Sequence, residues 1–287
     1  MSCPNGWLVK PRRHTVFGAK GIKTVPCGHC SWCRKMRSIE WSARIQHEMQ
    51  QHNYGYFITL TYDDDHLPFW PNSVYPTICK KHLQDYNKRL RLELKKYNNS
   101  YKFYQIGDYG EQTDRPHYHS IILANNVINN SMFSLKWQYG MVDVGIAEPE
   151  SIGYVVRYIR KSTQERNRLS KVRENPFMTC SQGIGIAYAK REVKAINDQE
   201  SVRVNGSKAK IPRYYVKKGI IKLPKKLEIE AKAEEERMDR YVRFCDANVC
   251  LEESEMWLSF CRHERLEALQ SVKNIDAKRN LYKSEVL

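Results

Sequence analysis

The chain has 287 residues, 41% of them hydrophobic, with 48 Lys and Arg against 32 Asp and Glu, a formal charge of +16. That apolar content is enough for a core, and the charge favours phosphate-rich partners, nucleic acid first. No apolar run approaches the roughly 18 residues of a membrane span, and the N-terminal MSCPNGWLVKPRR lacks the apolar centre of a secretory signal.

The chain reads as a soluble intracellular protein, and nine cysteines, an odd number, argue against a disulfide framework. The charge is uneven. From Lys225 to Leu287 there are 12 basic and 14 acidic residues, leaving 36 basic and 18 acidic before them. Polyanion binding therefore belongs to the first 224 residues.

In chain order, a cysteine-rich head (Cys3, Cys27, Cys30, Cys33) precedes a helix over about Arg34–Gln50. A β-branched and aromatic strand, Tyr56–Tyr62, ends at "DDDHLP". Helical spacing through Leu83, Tyr86, Leu90 and Leu94 predicts a helix over Cys79–Tyr97 with a basic opposite face. "SYKFYQIGDYG" and "PHYHSIILAN" read as the second and third strands, "MVDVGIAEPE" as a short fourth strand and turn, and "SIGYVVRYIRKS" as the next helix. This order suits an α+β domain, an antiparallel sheet with helices mainly on one face. Residues 164–224 are poorly patterned apart from a hairpin turning at Asn205-Gly206. The tail mixes charges at helical spacing and reads as one or two long helices, either partner-binding or merely solvated.

In "RPHYHSIIL", strand geometry puts His117 and His119 on one face and Tyr118 on the other. Two imidazoles on one face can grip a divalent metal, although a chance pair is common among nine histidines. In "YVVRYIRK", Tyr154, Tyr158 and Lys161 follow one helical stripe, with Val155, Val156 and Ile159 to pack the helix down. Tyrosines so spaced also serve as half-buried core. Neither pattern decides anything alone.

Together, and in this order, the blocks resemble the HUH endonucleases, replication initiators and relaxases that nick single-stranded DNA with tyrosine. More narrowly, the chain is similar to the replication initiators of microviruses, especially the gokushovirus branch. The matching stretches are "PCGHCSWCRKMRSIEWSARIQHE", "FITLTYDDDHLP", "GDYGEQTDRPHYHSIIL", "SIGYVVRYIRK" and "IPRYY", between about residues 3 and 215. The resemblance implies an HUH/ferredoxin-like sheet and a metal-binding pair, His117 and His119, holding Mg²⁺ or Mn²⁺. The third ligand would be Asp108 of "GDYG", where the family commonly has glutamate, with Glu111 as the other choice. Tyr154 and Tyr158 would be the nucleophiles and Lys161 their assistant.

The implied reaction is nicking of origin DNA through a 5′-phosphotyrosyl link and religation of the circular single strand without ATP. The implied partners are single-stranded DNA and supercoiled circular phage DNA at the origin, with a host helicase or polymerase beside them and no membrane. The implied place is the cytoplasm of a bacterial host. Elementary chemistry agrees with these roles. A phosphodiester anion resists an anionic nucleophile until a hard cation neutralises it, and a phenol with a pKa of about 10 needs help at neutral pH.

The spacing of Cys27, Cys30 and Cys33 suits a structural tetrahedral Zn²⁺, with Cys3 as fourth ligand or His29 in its place. An iron–sulfur cluster and free buried thiols are the lesser alternatives. Cys79, Cys180, Cys245, Cys250 and Cys261 read as packing thiols. Arg34, Lys35 and Arg37 after the cluster, and Arg115 before the histidines, are candidate phosphate contacts. The organisation expected is a cysteine-rich segment and helix over 1–50, an HUH endonuclease domain over 51–224 and a charged helical tail over 225–287. The competing reading is a zinc-stabilised, non-catalytic single-strand-binding protein whose tyrosines stack on bases. A plasmid mobilisation relaxase keeps the chemistry and changes the biology.

Overall fold

A computed structural model describes residues 7–9, 23–110, 112–158, 172–204, 206–220 and 223–247, and positions 256, 259–264, 266–267, 269–270 and 273–274. The elements in chain order are β1 (Trp7–Val9), β2 (Lys23–Val25), α1 (Ser31–Met49), β3 (Tyr54–Thr61), α2 (Lys80–Lys95), β4 (Tyr101–Tyr109), β5 (Pro116–Ala124), α3 (Asn130–Lys136), β6 (Val142–Ile146) and α4 (Pro149–Arg157). They continue with β7 (Phe177–Cys180), α5 (Ile186–Arg191), α6 (Val193–Gln199), β8 (Val202–Val204), β9 (Ser207–Ala209), α7 (Arg213–Lys217) and α8 (Leu223–Ala247). The chain divides into a unit of Ser38–Ile220 and a unit of Met1–Arg37 with Ile221–Leu287, each described by itself.

The larger unit is α+β, built on an antiparallel five-stranded sheet of order β6-β3-β5-β4-β7. The helices were expected mainly on one face, and the structure corrects this: they cover both. Ile121 and Leu123 of β5 pack with Ile45 of α1 and with Ile152, Val155 and Val156 of α4. Ile122 and Ala124 share the opposite cluster with Leu83, Tyr86, Leu90 and Leu94 of α2 and Phe133 of α3. The physical reason lies in β5 itself. Its "IIL" run is apolar at both parities, so either face left open would expose large hydrophobic side chains to water.

The expected strands and the two long helices occur within a few residues of their expected bounds. Two elements had no expectation. The seven-residue α3 is started by Asn129, whose side chain accepts from the Ser131 N–H. The four-residue β7 is too short to show a period, yet it satisfies the outer edge of β4 from Tyr104 to Gly107. The β8–β9 pairing Val204↔Ser207 leaves two residues between the strands, and Gly206 takes a φ of +74°, as the expected hairpin requires.

α4 opens on a reciprocal box between Glu148 and Ser151, with a proline in its first turn. The expected continuation of α4 past Tyr158 lies outside the described residues. In the smaller unit, Tyr241 and Phe244 of α8 stack against Phe260, and Arg237 and Arg240 both reach Glu264. Among the described residues, no helix is long and apolar enough to cross a membrane.

One buried carboxylate ties α1 to the sheet and to α5. Glu48 is 1% exposed. Burial pushes its pKa up, but hydrogen bonds from His52, Lys102 and the Gly185 N–H outweigh it and hold the carboxyl at about 2, below the usual 4.5. A depressed carboxylate stabilises the fold above its unfolded pKa and loses that contribution as pH falls from about 4.5 to about 2, on the order of 3 kcal/mol. Glu48→Gln should therefore lower the midpoint of urea unfolding at pH 7 and flatten its decline between pH 5 and 2. A variant declining as steeply as the parent in that window would assign acid lability to another group.

Candidate active site

β5 is the central strand, and its register decides what surrounds the histidines. His119 lies opposite Thr59 of β3 and Ile106 of β4; His117 lies opposite Thr61 and Asp108. Directly paired residues share a face, so Thr59, Thr61, Asp108, His117 and His119 stand together on the side that α4 covers. Asp108 is 2% exposed and His119 6% exposed. Tyr118 points the other way. Its hydroxyl accepts from the Cys79 N–H at 2.7 Å and donates to the Cys79 carbonyl at 3.0 Å, anchoring the start of α2.

α4 lowers Ile152, Val155 and Val156 into the core, which leaves Tyr154 and Tyr158 half-buried beside the imidazoles. The Tyr158 hydroxyl lies 3.3 Å from His119 Nε2 and 2.7 Å from the Tyr154 hydroxyl. His119 Nδ1 lies 3.1 Å from Thr59 Oγ1, and the Phe57 ring stacks on the imidazole at 5.6 Å. A chain of contacts thus runs Thr59–His119–Tyr158–Tyr154. Both phenols and both imidazoles lie in one cluster, the two imidazoles 4.9 Å apart between ring centroids. Lys161 and Glu111 lie outside the described residues.

The donors suit a hard divalent cation. His117 Nδ1 donates to the Arg115 carbonyl at 3.2 Å, which fixes the tautomer and puts the ring's lone pair on Nε2. Two imidazoles and a nearly buried carboxylate are a nitrogen–oxygen set that fits Mn²⁺ and tolerates Mg²⁺. Asp108, His117 and His119 do not converge as tightly as the cysteines of the smaller unit. The Cys27, Cys30 and Cys33 sulfurs all lie within 4.8 Å of one another, the one such group of three among the described residues. These three residues form a cluster able to bind a structural metal. Cys3 lies outside the described residues.

The basic residues proposed for DNA have mixed surroundings. Arg34 bonds the His29 carbonyl and the Ser31 hydroxyl, and Arg37 reaches the Gly28 carbonyl, so both hold the cysteine loop. Arg115 bonds the Tyr62 carbonyl and pairs with Asp64 at 2.7 Å. Lys35 is partly exposed on α1. Sequence reasoning gives Thr59 and Thr61 only a support role, which strand propensity alone would also explain. The ring of Phe57 against His119 has no sequence signal beyond its parity with Thr59.

Residues 55–163 match a family model of replication-associated proteins of the ORF2 type. The chain is 27% identical over 216 residues to Replication-associated protein ORF4 of Chlamydia phage 1, covering 67% of this chain and 52% of that protein. It is 27% identical to Replication-associated protein ORF2 of Spiroplasma virus 4, covering 67% and 66%. It is 28% identical to Replication-associated protein VP4 of Bdellovibrio phage phiMH2K, covering 66% and 65%. The matches thus span about half of the first relative's length and just under two thirds of the others'.

Proposed function

We propose that this chain, a relative of phage replication-associated proteins, initiates replication by cutting and rejoining a DNA strand through tyrosine transesterification. The observation that supports this reading best is the run of contacts from His119 Nε2 to the Tyr158 hydroxyl and on to Tyr154. In the proposed step a tyrosine oxygen forms a bond to phosphorus, the bond to the 3′-oxygen breaks, and that oxygen leaves as a hydroxyl carrying the proton. The 5′-phosphotyrosyl link keeps the phosphodiester's free energy, so reversal reseals the strand without ATP. The second phenol lets a regenerated origin be cut while the first adduct awaits resolution.

Asp108, His117 and His119 would hold Mg²⁺ or Mn²⁺, which supplies positive charge to the phosphate oxygens. Thr59 and Phe57 fix the His119 ring, and the Arg115 carbonyl fixes His117. Lys161 and Glu111 keep the roles that the family resemblance implies, assistant and alternative ligand. The proposed partners are single-stranded origin DNA and the supercoiled phage circle in the cytoplasm of a bacterial host, with a host helicase or polymerase alongside. The endonuclease boundaries of 51–224 fall close to the compact unit Ser38–Ile220. Cys27, Cys30 and Cys33, with Cys3, would hold a structural Zn²⁺.

The test is a denaturing gel of the protein incubated with single-stranded origin DNA and Mn²⁺. The expected result is a DNA-linked band that survives boiling, requires the cation, and disappears both in His117→Ala and in the double variant Tyr154→Phe, Tyr158→Phe. Salt-sensitive binding without such a band would refute catalysis and favour the single-strand-binding reading.

A further inference from the structure

We infer that the outer face of α2 is a docking ridge for the phosphate backbone of duplex DNA, on the side of the sheet away from the tyrosines. The inference rests on the reading of DNA as the partner. At about 100° per residue, Lys80, Lys81, Gln84, Lys88, Arg91 and Lys95 fall within roughly 100° of the helix circumference. All six are exposed. They lie opposite the buried stripe of Leu83, Tyr86, Leu90 and Leu94, which fixes the helix on the sheet. From Lys81 to Lys95 the ridge is about 21 Å long at 1.5 Å per residue. A duplex presents one phosphate charge per about 1.7 Å of axis, so a ridge of that length meets a continuous anionic surface.

Two observations favour a duplex over a single strand. Sequence-tolerant single-strand grooves interleave cations with aromatic rings for stacking, and this stripe holds lysine, arginine and glutamine without a ring among them. Phosphate contacts alone position a protein on a helix without reading its sequence. The second observation is placement. Ile122 and Tyr118 of β5 face the α2 side, whereas His117 and His119 face α4. The reacting strand and a held duplex therefore need not compete for one surface.

The ridge is also rigidly mounted. Tyr118 ties Cys79 at the start of α2, and its hydroxyl meets that of Tyr62 at 2.8 Å. Acidic neighbours neutralise only its margins: Lys81 pairs with Asp85 and Lys80 with Glu174, while Glu93 turns toward Lys96 and Lys136. The bland alternative is a solvated helix face with no partner.

The experiment compares the full chain with the triple variant Lys81→Gln, Lys88→Gln, Lys95→Gln. Binding to a blunt duplex of about 20 base pairs and to an oligo(dT) of matching length is titrated over a range of salt, alongside adduct formation on single-stranded origin DNA. Each lost phosphate contact removes about 0.9 from the slope of log K against log salt. The expected result is a duplex slope shallower by about 2–3, with the oligo(dT) slope and the adduct yield unchanged. The matching Lys→Arg triple variant should keep the parent slope. A duplex slope equal to the parent's would overturn the ridge, and an equal loss on oligo(dT) would overturn its preference for duplex. If the parent forms no adduct while the duplex slope still falls, strand transfer fails and the ridge stands.

Discussion

Tyr158→Phe should abolish the first cleavage of single-stranded origin DNA, lowering single-turnover adduct formation by about 10³-fold or more, whereas Tyr154→Phe should leave that first step within a few-fold of the parent. The reason is positional. Tyr158 alone of the two places its hydroxyl within 3.3 Å of His119 Nε2, and Tyr154 contacts the cluster through the Tyr158 hydroxyl, at 2.7 Å. The phenol nearer the imidazole pair is nearer the site where Asp108, His117 and His119 would present a phosphate. Tyr154 sits one helical turn back and suits the second cut, when Tyr158 already carries DNA.

Both substitutions keep the ring and its packing, and Tyr154 has the further ring contact with Phe57 at 6.1 Å, so folding is not expected to differ between them. Rapid-quench assays separate the steps: a first adduct on one origin strand, then a second cut on a strand carrying a regenerated origin. Tyr154→Phe should complete the first and fail the second. An inverted pattern, with the first adduct lost in Tyr154→Phe and kept in Tyr158→Phe, would assign the opening attack to Tyr154.

Much of this site was legible because β-strand parity and helical stripes are local rules. The pairing of His117 with His119 on one face follows from alternation alone, and the alignment of Tyr154 with Tyr158 follows from a four-residue step. That the two stripes meet is a tertiary fact. It depends on α4 lying over the odd-numbered side chains of β5, which no spacing within either segment fixes. The same gap explains the error about the helices. The apolar run of Ile121, Ile122 and Leu123 did hold the signal for two covered faces, but helix-on-one-face was the simpler layering for an antiparallel sheet. β7 was illegible for another reason: four edge residues answer to the hydrogen-bonding needs of β4 rather than to a pattern of their own. Asp108 gains weight from register, since it stands directly across from His117, a relation invisible before the strand pairing is known.

The second large effect concerns the cysteine knuckle, where purified protein should carry one zinc ion per chain and lose it in Cys30→Ser. The Cys27 and Cys33 sulfurs are 4.0 Å apart, close to the about 3.8 Å edge of a tetrahedron with 2.3 Å zinc–sulfur bonds. The Cys30 N–H points to Cys27 Sγ at 3.4 Å and the Cys33 N–H to Cys30 Sγ at 3.5 Å, donors that favour thiolate over thiol. The turn needs Gly28, whose φ of +80° a side chain would strain. α1 begins at Ser31, so its N-terminal dipole also favours negative sulfur.

The choice of fourth ligand follows from the ribbon. Trp7 pairs with Val25, so the start of β1, four residues after Cys3 in the chain, and the end of β2, which leads to Cys27, are at the same end. Cys3→Ser should therefore weaken zinc binding more than His29→Ala, the His29 Nδ1 already donating to the Cys27 carbonyl at 2.8 Å. Zinc bound by three or four thiolates contributes on the order of 10 kcal/mol to a small metal-organised segment, so chelation should expose this head to protease. Elemental analysis, thiol alkylation and limited proteolysis read the three consequences. Metal-free protein whose three thiols alkylate at the rate of exposed cysteines would show that the knuckle folds without a metal, and iron with visible absorption would point to a cluster instead.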